Sequence, residues 1–205
     1  LLRVQRRDAG IRVYAAVTHP TADDSADGRA RRAAALVDLV VRKYAPLPAA
    51  SLTYLARLLG YGAPHLKTQI QAALRQAREA LPSCRIDGVT WYWPAGEDPN
   101  GRRHVVDDQV RLLAPFDPVV WDRRRFELLW GWTYKFEAYT PAAKRMFGYY
   151  ALPMLWQERV VGWANVAAPN GRGEAEFGYV ERKPKGVDFR NALEDEMQRM
   201  TAFLG

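Results

Sequence analysis

PHLKTQIQAALRQAREALPSCRIDGVTWYW, Pro64–Trp93, decides how the chain reads. Leu66, Ile70, Leu74, Ala77 and Leu81 recur at helical spacing and form one inward stripe. Pro64 suits the first turn of that helix, where its missing N–H is not needed. Beyond Pro82 the pattern changes. Cys84–Ile86 and Val89–Trp93 are strand-like, and Asp87-Gly88 between them favours the left-handed backbone of a tight hairpin turn. The outward side chains of the helix are Lys67, Thr68, Gln71, Arg75, Gln76 and Arg78. These can donate to phosphates and base edges, although a solvated helix face has the same composition.

Upstream, Ser51 reads as the N-cap of a shorter helix that carries Leu52, Leu55 and Leu59 and ends near Gly60. Before it, Ala30–Lys43 places Ala33, Ala34, Val37, Val40 and Val41 at helical spacing, and Pro46 and Pro48 stop that helix. Three helices followed by a hairpin is the order of a winged helix, here residues 30–94. The third helix would then face a DNA major groove, with the hairpin as the wing. Residues 20–29 are polar and read as a linker. Leu2–Arg6 and Ile11–Ala15 flank Asp8-Ala9-Gly10 and read as another hairpin. A lone hairpin is marginal in water. Residues 1–19 are therefore expected to be the residual wing of a preceding winged helix, with further sequence upstream of Leu1.

Downstream, residues 95–205 read as a β-rich C-terminal domain. After a Gly/Asp/Asn loop, Arg124–Trp130 is expected to be helical and Thr133–Tyr139 to be a strand. Tyr149–Trp156 and Arg159–Ala164 form a hairpin around Gln157-Glu158, and Glu174–Glu181 is a further strand. Val187–Leu204 is a closing helix with Phe189, Leu193, Met197, Met200 and Leu204 on one side. The expected fold class is α+β: a winged helix, then a mixed β-rich domain closed by a C-terminal helix.

The 205 residues carry a net charge of +7 and are 48% apolar, which predicts a real core and favours a polyanionic partner. The single cysteine, Cys84, excludes an intrachain disulfide and points to a reducing compartment. No apolar run approaches membrane length, so the expected location is the cytoplasm and the expected state a monomer without membrane contact. His19, His65 and His104 are scattered and show no metal-ligand spacing, so no metal and no cofactor is expected. Asp117 precedes Pro118 as a turn former does, and Asp122 reads as an ion-pair partner of the arginines that follow it.

The densest chemistry lies in Arg111–Trp156, RLLAPFDPVVWDRRRFELLWGWTYKFEAYTPAAKRMFGYYALPMLW. Arg123, Arg124 and Arg125 follow Trp121, and Lys144 and Arg145 precede Phe147, Tyr149 and Tyr150. Cations beside flat apolar faces suit a phosphate backbone and unstacked bases. A core strand set with solvated basic edges has the same composition.

Within this run, LLAPFDPVVWDRRR at Leu112–Arg125 and PAAKRMFGYYALPML at Pro141–Leu155 resemble the crosslink-repair DNA glycosylases of the YcaQ/AlkZ group, closer to the YcaQ branch. The closing helix, ending AFLG, resembles that family's C-terminus. The resemblance implies bacterial excision of alkylated or crosslinked purines from duplex DNA, without a metal or organic cofactor. It also implies a water positioned by a Gln-x-Gln or Gln-x-Asp pair in an N-terminal part. Gln69-Ile70-Gln71 matches that pattern in letters only. Residues two apart on a helix point about 200° apart, and the triplet lies in a different part of the array. No catalytic residue is therefore expected in this chain. The expected DNA contacts are Lys67, Gln71, Arg75, Arg78, Arg123, Arg124, Arg125, Lys144 and Arg145, and the expected partner is damaged double-stranded DNA. The competing readings are a non-catalytic winged-helix regulator that binds DNA, or a module for protein contacts.

Overall fold

The computed structural model describes residues 2–17, 22–167, 169 and 172–204. Among these residues are six α-helices and three antiparallel sheets, a mixed α+β architecture. His19 and the first part of the expected linker lie outside the described residues. Packing sorts the chain into two compact units, Leu1–Leu39 with Ala56–Ala80, and Val40–Leu55 with Leu81–Gly205.

In the first unit, β1 (Leu2–Asp8) and β2 (Ile11–Ala16) pair antiparallel. Ala9 and Gly10 both have positive φ, as a tight hairpin turn requires. Leu2 and Ile11 on this hairpin are about 70% exposed (70% and 71%). Helix α1 (Ala26–Tyr44) starts inside the expected linker, four residues earlier than its apolar spacing suggests. The cause is local: the Ser25 hydroxyl accepts the Gly28 N–H at 3.0 Å and caps the first turn. Its buried stripe is Ala33, Val37, Val40 and Val41. Helix α2 (Ala49–Gly62) begins two residues before Ser51. Ser51 is therefore a buried helical residue and not the expected N-cap. A short 3-10 turn at Pro64–Leu66, with Leu66 buried, leads into α3 (Lys67–Ala80); Ile70 and Leu74 of the expected stripe are buried, Ala77 and Leu81 are half-buried, and Ala73 joins the interior.

The second unit opens with β3 (Leu47–Pro48), β4 (Ser83–Ile86) and β5 (Val89–Tyr92), a sheet of order β3-β5-β4. Asp87 and Gly88 have φ of 48° and 78°, the turn expected of Asp-Gly. The two-residue β3 pairs Leu47 with Tyr92 and has no sequence signal, because prolines flank and end it. A four-stranded sheet follows, of order β6-β7-β8-β9, from β6 (Val110–Leu112), β7 (Leu152–Trp156), β8 (Arg159–Ala167) and β9 (Glu174–Tyr179). Helix α6 (Val187–Leu204) packs on β6 and β8. Its buried Glu196 accepts the Leu112 N–H at 2.7 Å and pairs with Arg199 at 2.8 Å. Phe189, Val110 and Met154 form the core beneath it.

Between β6 and β7 lie α4 (Pro118–Trp121) and α5 (Arg123–Trp130). The expected strand Thr133–Tyr139 is not one. Burial does alternate from Trp132 to Phe136, with Trp132 and Tyr134 inside and Thr133 and Lys135 outside, and the phase breaks at the buried Glu137. The period-two pattern reflects an extended segment that feeds rings into a core, with no neighbouring strand to pair with. That core joins Leu113, Val120, Phe126, Trp132, Tyr134, Phe147, Ala151 and Val160. Phe126 lies within 4.8–6.0 Å of the rings of Trp130, Trp132 and Tyr134.

Candidate nucleic-acid interface

Helix α3 presents Lys67, Gln71, Arg75 and Arg78 to solvent, all exposed. Their spacing of four, four and three residues keeps them on one stripe. Lys67 and Arg78 are separated by roughly 16 Å along the axis. In the Gln69-Ile70-Gln71 triplet, Gln69 is half-buried, Ile70 fully buried and Gln71 exposed. The two amides face different surroundings and do not converge on one water.

The three consecutive arginines of α5 are not equivalent. Arg124 is exposed. Arg123 is half-buried. It donates to the carbonyls of Val120 at 2.5 Å and Pro115 at 2.9 Å, and its guanidinium lies over the Tyr134 ring at 4.4 Å. Arg125 is only 3% exposed and donates to the carbonyls of Tyr44, Pro118 (2.6 Å) and Val119 (3.2 Å). Burial makes the positive charge harder to hold at both residues and lowers both pKa values. At Arg125, Asp122 opposes that effect most. The structure therefore moves Arg125 from the expected surface set into the interior, where it braces backbone carbonyls. Arg123 is largely committed in the same way. Besides favouring the Arg125 cation, Asp122 accepts the Arg125 N–H at 3.2 Å and caps α5, and Asp117 likewise caps α4 through the Val119 N–H at 2.8 Å.

The Pro141–Tyr150 loop is held from inside. Glu137, 4% exposed, accepts the N–H groups of Met146 at 2.8 Å and Phe147 at 2.7 Å through one carboxylate oxygen. Asn165 on β8 donates to the Phe147 carbonyl at 2.7 Å and accepts the Tyr150 N–H at 3.3 Å. Gly148 between them has φ 111°, and a Cβ there would sit 2.4 Å from Asn165, so only glycine fits this turn. Phe147 is buried against Trp132 and Trp163. Lys144 is exposed. Arg145 is half-buried, donates to the Thr140 carbonyl at 2.8 Å and covers the Tyr149 ring at 5.0 Å. Sequence reasoning missed Glu137 and Asn165. The signal for Glu137 was present, as one carboxylate inside the aromatic run TYKFEAY. Asn165 had none.

Tyr134 anchors the same segment by donating its hydroxyl to the Ala151 carbonyl at 2.7 Å. Burial pushes its pKa from 10.0 up to about 12, with the Arg123 cation working in the opposite direction. A pKa raised on folding contributes stability that is whole below the unfolded value and is lost as pH rises through the folded one. Stability from this group is thus expected to decline between about pH 10 and 12. Burial raises Tyr179 as well, so an ultraviolet titration should show a late-ionising component that shrinks in Tyr134→Phe. If the late component is unchanged in Tyr134→Phe, this placement of Tyr134 is wrong.

Among the described residues no group of His, Cys, Asp and Glu could hold a metal ion, and no helix is long and apolar enough to cross a membrane. His65 and His104 are exposed, as is Cys84. The geometry thus offers exposed cations and rings on rigid supports, suited to binding an anionic, base-bearing polymer. A family model described as DNA glycosylase AlkZ-like matches residues 1–203. No solved structure matches the chain at a significant level.

Proposed function

We propose that this chain, which belongs to the AlkZ-like DNA glycosylase family, grips damaged duplex DNA for the excision of alkylated or crosslinked purines. The family match across residues 1–203 carries this reading. The chemistry is consistent with it. A purine made cationic by alkylation is already a good leaving group, so catalysis needs water placement and charge stabilisation more than strong acid. A bulky lesion also removes the need for a deep flipping pocket.

In this reading α1, α2, α3 and the β4–β5 hairpin are a winged helix, with α3 as its DNA-facing helix. Lys67, Gln71, Arg75 and Arg78 reach phosphates and base edges, and Arg124, Lys144 and Arg145 reach the backbone. The Gln69-Ile70-Gln71 triplet is assigned to binding and structure and not to water activation. The protein acts as a monomer on bacterial cytoplasmic DNA.

The test is fluorescence anisotropy on a duplex carrying one N7-alkylated guanine, across a salt series. Wild-type affinity should fall steeply with salt. The pairs Lys67→Glu with Arg75→Glu, and Arg124→Glu with Lys144→Glu, should each weaken binding at least tenfold at low salt. Each should also flatten the log–log salt slope by about 2. Duplex binding that survives both pairs overturns this surface, and no binding at low salt overturns the DNA reading.

A further inference from the structure

The fastened loop and its neighbours expose rings that the fold does not need outside. Phe116 is 62% exposed, Tyr139 93% and Tyr150 44%. All three meet the half-buried Phe136. Its ring centre lies 5.3 Å from Phe116, 6.2 Å from Tyr139 and 5.2 Å from Tyr150, each edge to face. A contiguous exposed apolar patch marks a binding surface more often than chance. This one is not a slack loop, because Glu137 and Asn165 hold the backbone that carries it.

Charge selects the occupant. From Gly131 to Tyr150 the cations are Lys135, Lys144 and Arg145, and the only carboxylate, Glu137, is buried beneath the loop. Lys135 and Lys144 are exposed. Glu174 and Glu176 on β9 share a shallow hollow with Tyr149 and Tyr150 and bound the patch on that side. Rings flanked by exposed cations suit a polymer that has both flat faces and phosphates. A paired duplex hides its base faces in the stack, whereas unpaired nucleotides present them.

We propose that Phe116, Phe136, Tyr139 and Tyr150 form a stacking platform for unpaired nucleotides of DNA, with Lys135 and Lys144 holding the flanking phosphates. This rests on the DNA reading above and adds to it. The platform engages the strand opened at a lesion, while the α3 stripe and Arg124 engage paired DNA, and Lys144 serves the phosphates of either. Stacking on aromatic side chains tolerates any base, so the platform reads strand opening and not sequence.

The experiment uses the whole chain and three fluorescent probes of matched length: a paired duplex, the same duplex with a central unpaired bubble, and a single strand. Wild-type protein should bind the bubble about tenfold tighter than the paired duplex. Phe116→Ala with Tyr139→Ala should abolish that preference, leave paired-duplex affinity within about twofold and leave the melting temperature unchanged, because both side chains are mostly in solvent. Tyr139→Phe should retain the preference, since it keeps the ring. A bubble bound no tighter than paired duplex, or a preference that survives the double variant, overturns the platform. If paired duplex binds and depends on Lys67 and Arg75 while the bubble adds nothing, only the platform fails. If no probe binds at low salt, both the platform and the DNA reading fail.

Discussion

Arg125→Met should destabilise the protein by about 3 kcal/mol, and Arg124→Met, one residue away, by less than about 0.5 kcal/mol. The Arg125 guanidinium is buried and is shared by three carbonyls, those of Tyr44, Pro118 and Val119. Methionine fills much of the volume but donates nothing, so three part-buried acceptors lose their partner, at about 1 kcal/mol each. Two of those carbonyls belong to α4 and one to the end of α1, within the same compact unit. The substitution should therefore also loosen Trp121 from Tyr44 and Tyr54, which it packs against at 5.9 and 6.1 Å. A cost of that size lowers the melting temperature by roughly 6–12 °C in a chain of this length. Arg124→Met should melt like wild type and lose DNA affinity, the reverse pattern. Thermal melts and anisotropy on the two variants decide the matter. If Arg125→Met melts like wild type while DNA affinity drops, the side chain works at the surface.

The second large effect is expected at Glu137. Glu137→Ala removes the acceptor of two backbone N–H groups, that of Phe147 buried and that of Met146 part-buried, and hydrogen bonds to a charged group are the stronger kind. The expected cost is about 3 kcal/mol, concentrated in one loop. Amide exchange at Met146 and Phe147 should accelerate, and limited proteolysis should newly cut between Tyr139 and Tyr150. The bubble preference should vanish although every exposed ring is still present. Glu137→Gln keeps a neutral acceptor oxygen and should fall between alanine and wild type. Unchanged protection of the Met146 and Phe147 amides in the alanine variant would show that the carboxylate does not hold the loop.

Where side-chain periodicity and turn chemistry agreed over a few residues, the elements were legible in advance. Helix α3, helix α6, the Asp87-Gly88 hairpin and the β7–β8 hairpin all fall where those signals put them. The segment Thr133–Tyr139 misled because alternation records which side chains are inside and says nothing of whether a partner strand lies alongside. Ser51 misled because a capping residue and a buried helical serine are the same letter, and the start of α2 depends on what the preceding prolines allow.

Locally encoded properties were the sequence's own to determine: the net charge, the helical stripe of α3 with its outward cations, the tight turns and the motifs that carry the family resemblance. Each depends on residues within one or two turns of each other, where backbone geometry leaves few choices. Only the tertiary structure decided which of Arg123, Arg124 and Arg125 faces water, that Glu137 and Asn165 fasten the Pro141–Tyr150 loop, and that Phe116 joins Phe136, Tyr139 and Tyr150 in one patch. Those outcomes depend on carbonyls and rings brought together across tens of residues. The balance there is between desolvating a charge and satisfying a buried acceptor, and no spacing within the chain records it.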